Sequence, residues 1–298
     1  MSSVPRPALP RPALPGRVRR PAIRHVLLAI FTAAVCIVVI APLATVILIS
    51  FSNRPDLSFP PPGFSLRWYH HLIYGTQLLD SVWFSVWLGA ASSLVAVVAG
   101  LLGAFGLTRS VIPGRSAVRV ALFSPIVVPK IALGVGLFIL FARLKIYGSD
   151  LGLVFAHALI SLPFVVALCA AAMATTDVSL EEASRDLGAG AITTFVRVLL
   201  PQIRMTVVVS YLISFIISYD QLESTIFLVT PKHQTLPIAM YYYEELYQDP
   251  TTGALSSISV GVSLLLVVLV GLSLRRSTAL RAVTLMNRGS ARNRDDGS

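Results

Sequence analysis

Apolar residues in this 298-residue chain gather into six long blocks: Val26 to Phe51, Ser81 to Leu107, Val120 to Ala142, Leu151 to Ala174, Ile203 to Val229 and Leu255 to Leu274. Each reaches the roughly 20 helical residues needed to cross a hydrocarbon core about 30 Å thick. A lone segment in lipid can satisfy its own amides and carbonyls only as a helix. The pattern therefore predicts an all-α integral membrane domain over residues 26–274, with six transmembrane helices and both termini on one side. The first block follows a positive flank as a signal peptide would. It is about twice the length of a signal's apolar region and lacks a small-x-small cleavage site, so it is expected to remain as a membrane helix.

Composition narrows this further. The chain is 55% hydrophobic and 13% charged, with mean hydropathy +0.77, whereas soluble domains carry about 25% charged residues. An ordinary soluble globular protein is excluded. A net charge of +10 would suit nucleic acid, but the placement of the basic residues instead fits a membrane. One side of the predicted spans holds eighteen of them: six between Arg6 and Arg24, then Arg109, Arg115 and Arg119, then Arg185, Arg197 and Arg204, and six from Arg275 to Arg294. The other side holds Arg54, Arg67, Arg143, Lys145 and Lys232. The positive-inside bias puts both termini in the cytoplasm. Lys130 falls inside the third block near Pro125 and Pro129, where a charge should face a cavity or a partner.

Residues 1–25 are rich in Pro and Arg and repeat RPALP at Arg6 to Pro10 and Arg11 to Pro15. Such a segment cannot bury a core and is expected to be a disordered basic cytoplasmic tail. It could act as a polyproline recognition segment or simply lie solvated beside anionic lipid. Residues 275–298 form a second basic tail. The outer loops Ser52 to Asp80, with Pro60 to Pro62, and Thr230 to Ala254, with Tyr241 to Tyr243, could receive an external partner. Alternatively Trp68, Trp83 and the tyrosines anchor the chain at headgroup depth. Cys36 and Cys169 lie within apolar blocks and read as small hydrophobes. No histidine stands at a zinc spacing, and Walker A, GxGxxG and GxSxG motifs are absent from the sequence. The chain is expected to be a non-enzyme without metal or cofactor, so that any nucleotide is handled by another subunit.

The cytoplasmic segment 177–202, between the fourth and fifth blocks, is long for a connection without a task of its own. Ser179 with Glu182 three residues later reads as a capping box opening a short helix. Gly188 and Gly190 end it, Thr193 to Leu200 resumes helical periodicity, and Pro201 introduces the next span. Spacing alone allows either an amphipathic surface loop or a surface for a cytosolic protein.

This loop, LEEASRDLGAGAITTFVRVLLPQIR, resembles the signature of ABC importer permeases: Glu-Ala-Ala, three residues, Gly, nine residues, Ile, one residue, Leu-Pro. Glu182, Ala183, Gly188, Leu200 and Pro201 match, while Ser184 replaces the second alanine and Val198 the isoleucine. The resemblance implies the type I importer permease architecture in a bacterial inner (plasma) membrane. It also implies a first short helix that seats on the ATPase, with Glu182 at the contact and Gly188 permitting the turn. The implied partners are an ABC ATPase dimer that binds the ATP, a second permease subunit, and a periplasmic or external solute-binding protein.

The stretches SFIISYDQLESTIFL, KHQTLPIAMYYYEE and DPTTGALSSISV are similar to the second permease of spermidine/putrescine-type systems, which implies a polyamine or related cationic solute. Related importers carry amino acid derivatives, opines or iron. Read as one helix, Ile203 to Val229 puts Asp220 and Glu223 about 60° apart on one face, some 24 Å beyond Arg204. Intramembrane carboxylates of this kind either line a cation path or pair structurally, Asp220 with Lys130 or with a residue of a partner. A second stripe, Ser210, Ser214, Ser218, Gln221 and Thr225, reads as a close helix interface.

An ion-gradient-driven secondary transporter is the competing class. It would be expected to show internal repeats with paired broken helices, and none is visible between the two halves of the sequence. The topology is directly testable: a reporter active only in the periplasm, fused after Ser298, should be silent, and strong activity would reverse the orientation.

Overall fold

The computed structural model describes residues 22–110, 113–231, 233–265 and 268. Most of the expected N-terminal tail and all of the C-terminal one lie outside these residues. The first helix, α1 (Ala22–Ser50), nevertheless begins four residues inside the stretch expected to be tail. Among the described residues the regular secondary structure is helical, joined by turns and irregular segments that carry two isolated antiparallel bridges, Ser52 with Phe64 and Thr230 with His233.

Helices α2 (Arg67–Tyr74), α3 (Leu78–Arg109), α4 (Arg115–Val127), α5 (Lys130–Leu144) and α6 (Asp150–Ala174) follow in order. Beyond them lie α7 (Val178–Asp186), α8 (Ala191–Thr194), a π-turn over Phe195–Leu199, and α9 (Leu200–Tyr219). The segment after α9 adds α10 (Leu236–Leu246), and α11 runs from Thr251 to Leu265.

Helices α3, α6 and α9 pack against one another as the centre of the fold. Between them are buried Ala96, Ala104, Ala158, Val165, Cys169 and Met173. Small residues let the backbones close up, since a Cβ added at Gly100 would stand 2.5 Å from Val165 Cγ1. The serine stripe of α9 is a helix interface, as its spacing predicted. Ser214 Oγ donates to Ser161 Oγ at 2.8 Å, Ser92 Oγ donates to Ser218 Oγ at 2.9 Å, and Ser210 lies 3.7 Å from Cys169 Sγ. In surroundings without water these hydroxyls can satisfy one another only across the helix contacts.

Four helices are long and apolar enough to cross a membrane unbroken: His25–Ser50, Leu78–Arg109, Asp150–Ala174 and Ala191–Tyr219. The third predicted span is not one helix, because α4 and α5 meet at a bend of 110°. Proline chemistry explains the site. Pro129 excludes helical angles for Val128, which adopts ψ 130°. Pro125, one turn earlier, cannot bond the carbonyl of Ala121, and Ser124 Oγ takes that acceptor at 2.9 Å.

The fifth predicted span also ends early. Helix α9 stops at Tyr219 rather than Val229, and a short 3₁₀ turn, Thr225–Phe227, follows an irregular stretch. A buried histidine on α6 spans the break: His157 Nδ1 meets Ser218 Oγ at 2.8 Å while its Nε2 meets Thr225 Oγ1 at 3.0 Å. One imidazole thus holds both banks of the break. Helix α11 carries the start of the sixth predicted block, whose remainder lies beyond the described residues apart from Val268.

The segments that join α1 to α3 and α9 to α11 fold onto each other through Leu72, Leu78, Leu236, Ala239 and Leu255. Trp68 is turned inward instead of standing free as a headgroup anchor: it is buried and donates Nε1–H to the carbonyl of Ser52 at 2.8 Å. Trp83 is exposed, as the anchor reading requires. Tyr69 OH bridges Ser50 Oγ and Ser257 Oγ at 2.8 Å each, which pins the end of α1 to α11.

Gly100→Val should destabilise the fold by about 1–3 kcal/mol, because even a Cβ lacks room there. A lowered unfolding midpoint of the detergent-solubilised chain would register it. Gly136→Ala, where a Cβ meets open space, should show no comparable loss.

Candidate coupling site and solute path

Helix α7 starts two residues earlier than its capping-box spacing suggested. Asp177, not Ser179, is the N-cap, and its Oδ1 accepts from Ser179 N at 2.9 Å and Ser179 Oγ at 2.7 Å. Those two donors hold the Asp177 carboxyl below its ordinary titration range. Aspartate at this position also complements the positive end of the helix.

The far end forms a Schellman turn: Gly188 N donates to Arg185 O at 2.8 Å and Ala189 N to Ser184 O at 3.1 Å. Gly188 has φ +85° with open space where a Cβ would stand, so backbone angle alone makes glycine necessary. Gly190 then leads into α8, which passes through the π-turn into α9 without a break. Pro201 therefore lies inside a continuous helical rod. The widened turn just before it relieves the clash that a proline ring makes with the carbonyl four residues back. Leu200 is half-buried and Pro201 exposed.

Helix α7 has two unlike faces. Glu182 and Ala183 are exposed, and beyond them stand Leu187 and Ile192 with 89% and 81% of their surface free. Large apolar side chains so displayed mark a surface awaiting contact. On the inner face Glu181 is 1% exposed and pairs with Arg109 Nε at 2.9 Å, at the end of α3. The sequence reading missed Glu181. The pair Glu181-Glu182 was legible, and consecutive helical residues point about 100° apart, but only the fold shows which glutamate turns inward.

The second candidate region lies where the two broken spans meet. Ser224 Oγ donates to the carbonyl of Lys130 at 2.7 Å, and Gly134 approaches Ser224 so closely that a Cβ would lie 2.8 Å from its backbone. Lys130 Nζ stands 3.4 Å from Glu223 Oε2, both side chains about half exposed, and Gln221 Nε2 reaches the same carboxylate oxygen at 3.0 Å. The shared helical face expected for Asp220 and Glu223 does not exist, since Asp220 caps α9 and Glu223 lies beyond its end. Nor does Asp220 pair with Lys130, whose partner is Glu223. Asp220 is exposed and makes no ion pair among the described residues. Exposed carboxylates at a discontinuity of two spans can attract a cation.

Residues 96–280 match the family model described as the binding-protein-dependent transport system inner membrane component. The chain belongs to this family. It is similar to the spermidine/putrescine transport system permease protein PotC of Escherichia coli K12, at 29% identity over 80% of this chain and 90% of that one. PotC of Haemophilus influenzae is 30% identical, covering 79% and 91%. The putrescine transport system permease protein PotI of Escherichia coli K12 is 27% identical, covering 74% and 81%. The fold is that of a bacterial ABC transporter that imports alginate: TM-score 0.65 at 15% identity, over 87% of this chain and 99% of the other. A second alginate transporter structure, in complex with its alginate-bound periplasmic protein, gives 0.67 over 85% and 94%. The resemblance of the loop 177–202 to importer permeases is thus met by family membership across the body of the chain.

Because Asp220 is exposed and makes no ion pair among the described residues, Asp220→Asn should alter stability by no more than about 0.5 kcal/mol. Purified yield and unfolding midpoint should match the parent. A large loss would show that the carboxylate holds the fold.

Proposed function

We propose that this chain is a non-catalytic subunit of an ATP-driven importer in the bacterial inner membrane. It crosses six times with both termini in the cytoplasm, and with a second permease it forms the path for a polyamine or related organic cation delivered by an external binding protein. The observation that carries this reading is the two-faced helix α7: a polar inner face held to the bundle, and an outer face of Glu182, Ala183 and Leu187 without cover. Docked on an ATPase dimer, such a helix passes on closure of that dimer as a rigid-body displacement. ATP then does its work on a chain that binds none of it.

The relatives PotC and PotI support the solute class by name, at 27–30% identity over most of their length. The chemistry of the broken spans supports it separately. Glu223 already receives a primary ammonium, that of Lys130, and Asp220 stands three residues away. A polyamine offers the same functional group at both ends, and a chain of methylenes between them suits an apolar passage.

The test is uptake of labelled putrescine or spermidine by the complete importer in proteoliposomes. Uptake should require ATP, vanish in Glu182→Lys and Gly188→Asp together with co-purification of the ATPase, and fall in Asp220→Asn with the complex intact. Normal uptake and co-purification in the first two would remove the docking role. ATP-independent uptake would restore the ion-gradient class.

A further inference from the structure

Helix α7 buries a single side chain, and that side chain is the charged Glu181. A carboxylate so placed is tolerated only when paired and hydrogen-bonded. Its partner Arg109 does more than neutralise it. While Nε donates to Glu181 Oε1 at 2.9 Å, Nη2 donates at 2.7 Å both to the carbonyl of Met173, near the end of α6, and to Thr176 Oγ1 in the link to α7. The planar guanidinium, only 13% exposed, thus fixes the ends of α3 and α6 and the first turn of α7 in one triangle.

The connections of α7 give this triangle its meaning. Helix α6 reaches α7 through the chain itself, and α9 reaches it through the chain and through the pair Ser184 Oγ with Thr194 Oγ1 at 3.1 Å. Helix α3 is separated from α7 along the chain by α4, α5 and α6, and Arg109 supplies a direct hydrogen-bonded link. Yet α3 packs along both α6 and α9 and shares the Ser92 to Ser218 bond with α9.

We propose that Arg109 is a positioning residue for energy coupling: through Glu181 it recruits α3, so that a push on α7 moves α3, α6 and α9 as one block instead of shearing α6 and α9 past α3. The proposal rests on the reading of α7 as the ATPase-docking helix. Packed elements with discrete arrangements transmit such displacements only when they are joined.

The decisive variant is the double substitution Arg109→Met/Glu181→Met, which removes both charges and leaves neither buried alone. It is assayed in the reconstituted importer beside the two single substitutions. In a Cys36→Ser background, Ala183→Cys with a thiol-to-amine cross-linker reports contact between α7 and the ATPase. The expected result is retained cross-linking and ATP hydrolysis with uptake per ATP lowered roughly 2- to 30-fold, the range over which changes along a coupling route act. The single substitutions should lower it about as far as the double one, because the two residues act as a unit. Unchanged uptake per ATP in a cross-linked double variant would overturn the proposal, as would failure of that variant to assemble, which would assign the pair to folding. A missing cross-link in otherwise unmodified protein would instead overturn the docking reading on which the proposal stands.

Discussion

A helix that stops inside a membrane leaves amides and carbonyls facing a solvent that cannot bond them, so each interruption has to be completed by side chains from elsewhere. Two interruptions organise this molecule. At the first, Ser124 bonds the carbonyl that Pro125 cannot reach, and the chain turns through 110°. At the second, His157 holds Ser218 and Thr225 on either side of the gap, and Ser224 reaches across to the carbonyl of Lys130. The two breaks complete each other, which is why the ionisable groups Lys130 and Glu223 come together there and not along an unbroken helix.

The same economy of partners shapes the end of the bundle where α3, α6 and α7 meet. Arg109 lies in the last turn of α3, where a cation is favoured by the helix dipole, and its donors are spent on a carboxylate, a carbonyl and a hydroxyl from two further segments. The neighbouring Glu182 remains exposed. Adjacent, chemically identical side chains are thereby divided, Glu181 held against Arg109 and Glu182 left open to solvent.

Much of this was readable from residue order because hydrophobic blocks and glycine angles are local properties. Three of the six apolar blocks, the first, second and fourth, appear as continuous helices, and Gly188 sits at the positive-φ turn that ends its helix. The serine stripe of α9 was likewise found by period alone. What escaped were decisions made between distant segments. Residues 220–229 carry an apolar content suited to a helix, and the contacts that hold them out of one come from His157 on α6, far away in the sequence. Pro129 announced a disturbance but not its angle. At the start of α7, Asp177 and Ser179 were both competent caps, and the backbone conformation at 177 decided between them.

The π-turn at Phe195–Leu199 has a consequence for the geometry of the whole span. Its Leu200 amide bonds the carbonyl five residues back, which amounts to one residue more than an α-helical turn would hold. Each residue of an α-helix carries about 100° of rotation, so the turn sets the phase of everything after it. The serines at 210, 214 and 218 face α6 and α3 in that phase alone. The rod from Ala191 to Tyr219 is therefore clocked as well as joined: its N-terminal end and the serines that meet His157 and α3 share one rotational phase, so neither can turn without the other.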